Sequence, residues 1–155
     1  MESTIPPPPP PPPAPVSSRW TAPDNHVPRA GELSDGWNVV FWLSWTCVAA
    51  SFIAVWVSSR TTGLSTWWLG PEATPRPFLV SLVPFVVPIG LAIAGLTRRR
   101  WLPWLGIGGA VLMALIGVGD IDRVKGYAFV EIGIAGGALL VSAACFAGLL
   151  RAGDE

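Results

Sequence analysis

Four stretches of this chain carry almost no charge over lengths that a soluble fold rarely sustains. Residues 37–57, 78–97 and 101–119 contain no Asp, Glu, Lys or Arg, and residues 127–150 contain one, Glu131. The runs are 21, 20, 19 and 24 residues long. At a rise of about 1.5 Å per residue, each can cross a hydrocarbon core of about 30 Å as a helix. A helix on the surface of a soluble domain has one apolar stripe and one polar face. These runs are apolar on every face. The pattern predicts an all-α membrane protein with four transmembrane helices, spanning residues 37–58, 78–97, 101–119 and 127–150 within a domain of residues 36–151.

The punctuation fits those spans. Ser34 and Asp35 precede the first run as candidate N-caps. The longest connection, "SSRTTGLSTWWLGPEATPRP", covers residues 58–77. Its Leu64, Trp67, Trp68 and Leu69 are too apolar for a free loop, and they are expected to lie flat in the headgroup region. "TRRRW" and "DIDRVKG" make the two remaining turns. Trp37 and Trp56 lie 19 residues apart, about 28 Å along a helix, at interface spacing. Trp45, Phe52 and Trp56 share one face of the first helix, as a packing or lipid-facing stripe.

Residues 1–35 read differently. They hold eleven of the 17 prolines, and Pro6 to Pro13 is an unbroken octaproline. Proline fixes φ and donates no hydrogen bond, so this stretch is expected to form a polyproline II rod within a disordered proline-rich tail. The N-terminus lacks the basic start and following apolar run of a cleaved signal peptide, so the first span is expected to act as an uncleaved anchor. His26 is the sole histidine, and no role is assigned to it.

Charge sets the orientation. With four spans both termini share one side, which would hold Arg19, Arg29, Arg98, Arg99, Arg100 and Arg151. The other side would hold Arg60, Arg76, Arg123 and Lys125. Basic residues in short loops stay in the cytoplasm. Both termini are therefore expected on the cytoplasmic side of the inner or plasma membrane, with the Trp-rich loop outside.

Composition narrows the chemistry. The chain is 51% hydrophobic and 13% charged, about half the charge of a soluble domain, with zero net charge. No global field draws in nucleic acid. Cys47 and Cys145 have no ligand-spaced partners and read as packing residues. No nucleotide-binding loop, catalytic constellation or haem-ligating histidine is present in the spans, so no enzyme, cofactor or metal is expected.

Four features remain. Glu131 is the candidate ion or proton site. Residues 132–150 alone give 19 uncharged positions, so the helix can span without burying it. The expected place for Glu131 is then the outer edge, paired with Arg76, Arg123 or Lys125. Asp120 and Asp122 are expected on the same solvated rim. Pro84 and Pro88, four residues apart, are the candidate helix kink. Gly133 and Gly137 form a GxxxG, and Ala144 and Gly148 repeat the spacing. With Gly106, Gly109, Ala110 and Ala114 they predict a tightly packed hairpin of the last two helices, or a homo-oligomer. Arg98, Arg99 and Arg100 are candidate contacts to anionic lipid.

The function these features imply is a small accessory or scaffold protein of the membrane, bound to lipid and to a protein partner or its own copies. The alternative is a small oligomeric transporter or channel that uses Glu131 and the Pro84/Pro88 kink.

Overall fold

The computed structural model describes residues 30–150. The octaproline, His26, Arg19, Arg29 and Arg151 lie outside the described residues. The regular structure of the described residues is all helical: α1 is Asp35–Thr62, α2 Phe78–Ser81, α3 Val83–Gly95, α4 Leu102–Val118 and α5 Lys125–Ala144, followed by a 3-10 turn at Cys145–Gly148. Two segments, Asp35–Thr62 and Lys125–Gly148, are long and apolar enough to cross a membrane, while α3 and α4 are shorter apolar helices.

α1 starts where the caps placed it. Ser34 occupies the N-cap position and its carbonyl accepts the Asn38 N–H at 2.8 Å, but its hydroxyl makes no capping bond. The helix runs past the apolar stretch to Thr62 and ends at Gly63, whose φ of 70° closes the last turn. Its buried face is Phe41, Trp45, Val48, Phe52 and Val55, then Ser59, in alternating steps of four and three. That is the seam spacing of packed helices. The stripe reading of Trp45 and Phe52 thus resolves to packing inside the bundle, with Trp56 half-buried beside them.

The expected helix over 78–97 is interrupted. One turn, α2, is followed by Leu82, and α3 begins at Val83. The break lies just ahead of Pro84, which sits in the first turn of α3, where a missing N–H costs nothing. Pro88 lies inside α3, and both prolines face the core.

α4 and α5 form the expected hairpin, joined by a tight turn. Around the bundle α1 packs on α3 and α5, and α3 packs on α4. The hairpin seam differs from the expected one on α5. On α4 the expected Gly106, Gly109 and Ala110 are buried with Met113 and Gly117; Gly106 and Gly117 meet α5, and Gly109 meets Trp45, Val87 and Leu91 of α1 and α3. On α5 the seam runs through Ala128, Glu131, Ala135, Ala138 and Ser142. Gly133 and Gly137 face outward, with open space where a Cβ would stand, and Ala144 is exposed. Gly148 does pack, but against the Trp37 ring of α1. Cys145 is in the core, and Cys47 lies on the outer face of α1.

The segment before α1 is stapled to the end of the chain. Leu33 bridges Leu149, and Gly31 N–H donates to the Leu150 carbonyl at 2.8 Å. Leu33 is buried by that pairing.

Candidate functional site

The loop after α1 builds the site. Ser59 Oγ donates to the Leu64 carbonyl at 2.7 Å, and the Tyr127 hydroxyl bonds Ser58 and Thr62 at 3.0 and 2.9 Å. These contacts tie the end of α1 to the start of α5. The chain then turns inward. Gly70 N–H donates to the Thr66 carbonyl at 3.0 Å, Arg76 N–H donates to the Leu69 carbonyl at 3.1 Å, and Gly70 takes a φ of 69°. Arg76 packs against Gly70 within the same loop.

The result corrects the expectation of a loop lying flat. Leu64 is exposed, but Trp68 and Leu69 are wholly buried and Trp67 is half-buried. The Trp68 ring sits among Phe52, Trp56 and Phe85, with centroids 6.4, 6.2 and 6.1 Å away. Phe85, between the two prolines, is how α3 reaches the loop. A buried indole needs an acceptor for its N–H. Trp68 Nε1 donates to Glu131 Oε1 at 3.1 Å. Trp67 donates twice: its backbone N–H to Asp120 Oδ1 at 2.7 Å, and its Nε1 to the Ile116 carbonyl at 3.0 Å.

Glu131 is therefore not a solvated or ion-paired charge. It is 0% exposed, two turns into α5, and its partner is an indole rather than Arg76, Arg123 or Lys125. Asp120 is also 0% exposed rather than part of a solvated rim, whereas Asp122 is exposed. The two buried carboxyl groups, held by the neighbouring loop residues Trp67 and Trp68, influence each other electrostatically. Burial pushes the Asp120 carboxyl above its ordinary value; the Trp67 N–H, Arg123 and Glu131 oppose that rise. Each carboxyl has one oxygen held by the loop. Asp120 Oδ2 and Glu131 Oε2 have no donor among the described residues, and neither does the buried Thr66 hydroxyl.

Small residues make room for the pair. A Cβ on Gly117 would stand 3.0 Å from Glu131 Cβ, and one on Gly119 would stand 2.7 Å from Trp67 Nε1. Among the described residues, no three of His, Cys, Asp and Glu converge as a metal site requires.

The arginine turn is at the junction of α3 and α4. Arg98 adopts a φ of 50°, a left-handed conformation that β-carbons disfavour, and its guanidinium pairs with Asp35 at the start of α1. Arg99 and Arg100 are exposed.

The sequence named Glu131 and missed Asp120, Trp67 and Trp68 as its surroundings. The available signal was two indole N–H groups in a loop too apolar to be free, with buried acceptors still to be found. Compared with known proteins, the chain matches no family model, no curated protein and no solved structure.

Proposed function

We propose that this chain is a multi-pass membrane protein with four spans, formed by α1, α2 with α3, α4, and α5. It works without catalysis, as an accessory or scaffold protein. One observation carries the reading: the outer faces of every long helix are largely apolar, while the two carboxyl groups of the α4–α5 hairpin are inside. Ile53 and Val57 on α1, Val86 and Ile93 on α3, Leu115 on α4 and Leu140 on α5 are all half-exposed or more. Apolar surface on that scale marks a membrane or a partner. The interior holds Asp120, Glu131, Ser59 and Ser142. Hydroxyls on the outer face of α1 are satisfied within the helix: Thr46 and Ser51 donate to carbonyls four residues back at 2.9 and 2.8 Å. That arrangement suits a surface without water.

The segment from Phe78 to Gly95 supplies the second span by stacking α2 on α3, and α4 is about 26 Å long. The arginine turn then lies on the cytoplasmic side with both termini, and Arg99 and Arg100 face anionic headgroups there. The transporter reading has less support. Trp68 covers Glu131, and Pro84 opens α3 rather than bending it mid-helix.

An accessory role predicts a partner. Purified from native membranes in mild detergent, the full chain is expected to bring down one protein in near-equal amount. A chain lacking residues 1–29 should lose it; the cut spares Gly31 and Leu33, which are bonded to the end of the bundle. Equal recovery by both chains would sink the tail as the docking segment. Recovery of the protein alone in both would sink the accessory role.

A further inference from the structure

We propose that Asp120 and Glu131 form a proton-binding site: one proton bridges Asp120 Oδ2 and Glu131 Oε2, and the Trp67–Trp68 segment is a lid that stays docked while that proton is held. The inference rests on how the loop packs and goes beyond the accessory role, so either can fail without the other.

The geometry leaves one group unaccounted for. Two carboxyl groups, each 0% exposed, are held by two consecutive loop residues and influence each other. One oxygen of each accepts from the loop, at 2.7 Å for Asp120 and 3.1 Å for Glu131. The remaining oxygen of each has no donor among the described residues. Two neighbouring buried carboxylates repel, and an unpaired buried oxygen is costly. A single proton between the two free oxygens removes both penalties and turns the pair into one unit that titrates together.

Among the described residues, no other charge substitutes for it. α3 and α4 carry no titratable side chain along their lengths. On the other elements around the pair, Arg60 is half-buried, and Glu72, Arg76, Asp122, Arg123 and Lys125 are exposed. Of these Arg123 acts on Asp120. The Tyr127 hydroxyl is turned to Ser58 and Thr62.

The lid follows from the same contacts. The loop supplies the donors and the cover, whereas the carboxyls stand on the α4–α5 hairpin. Gly63 and Gly70, both at positive φ, bracket the segment that moves. Losing the proton puts two adjacent negative charges beneath Trp68. Undocking the loop lets water reach them without breaking the hairpin. The sign follows from linkage: the docked form binds the proton more tightly than the open form, so docking is favoured at low pH and is lost as pH rises through the titration of the pair.

The test uses the full chain in lipid nanodiscs, labelled with fluorotryptophan and followed by fluorine NMR. The Trp68 signal is assigned by its loss in Trp68→Phe. Between the pH at which the open form titrates and the higher pH at which the docked form does, the ratio of open to docked signal is expected to rise by up to about tenfold per pH unit, the slope set by release of one proton, and to level off outside that window. Infrared spectra of the same sample should show a protonated-carboxyl band that disappears over the same pH range. Glu131→Gln, which keeps a neutral donor between the two groups, should abolish both the slope and the band. If that variant does not fold, the two titrations of the natural chain still decide. A Trp68 ratio that is flat with pH would overturn the proposal, as would a missing carboxyl band. Collapse of the band on adding sodium or calcium at constant pH would overturn it in favour of a cation site.

Discussion

Trp68→Ala is expected to destabilise the protein by about 3–5 kcal/mol, the range for removing a buried large aromatic. The effect falls at the high end because two losses coincide. The cavity opens among Phe52, Trp56 and Phe85, and Glu131 Oε1 loses its donor. Trp68→Phe separates the two. It keeps one aromatic ring in the cluster while removing the N–H and the rest of the indole, so about 1–3 kcal/mol is expected, chiefly the cost of leaving a buried acceptor unpaired. Denaturant titration of the purified protein, followed by helical circular dichroism, measures both. If the loop instead lay on a membrane surface, as its composition suggested, both substitutions would cost well under 1 kcal/mol.

The second large effect contrasts two glycines. Gly106→Ala is expected to cost about 1–3 kcal/mol, because overpacking a filled seam displaces its neighbours. The new Cβ would stand 2.8 Å from Ser142 Cβ and 2.9 Å from Phe41 Cε2, and both atoms belong to buried residues with little freedom to retreat. Gly137→Ala meets open space and should change stability by no more than about 0.5 kcal/mol. The same unfolding titration reads both. A costly Gly137→Ala beside a harmless Gly106→Ala would mean that the helices pack through the GxxxG after all.

That contrast shows what the sequence made legible. Charge-free length is a strong signal, and all four helical segments lie where it placed them. Which face packs is a weaker signal. Gly133 and Gly137 match the contact spacing, but so do Ala128, Ala135, Ala138 and Ser142, which run in register with Glu131. Expecting Glu131 at the edge removed the reason to prefer its own stripe. The one charged residue of the four apolar runs needs the interior, and the small residues aligned with it mark the seam. The break at Leu82 escaped because proline was expected to bend a helix, whereas Pro84 begins one.

The site was half legible for a different reason. Its contacts join residues far apart in sequence: Trp68 and Glu131 are 63 positions apart, and Trp67 and Asp120 are 53 apart. Periodicity within one helix cannot report such pairings. The chemistry pointed toward them nonetheless. Two indoles in a short apolar loop need acceptors, and Asp120 and Glu131, on either side of the head of the last helix, can supply them.

The proposed four spans put the Trp-rich loop on one side of the membrane and the arginine turn on the other. Single cysteines at Glu72, Asp122 and Arg99, all exposed positions, test this in sealed right-side-out vesicles carrying a chain without its native cysteines. A membrane-impermeant thiol reagent is expected to label Glu72→Cys and Asp122→Cys at once, and Arg99→Cys only after the membrane is opened. Labelling of all three from the outside, or release of the protein from the vesicles by alkaline carbonate, would contradict the four-span bundle.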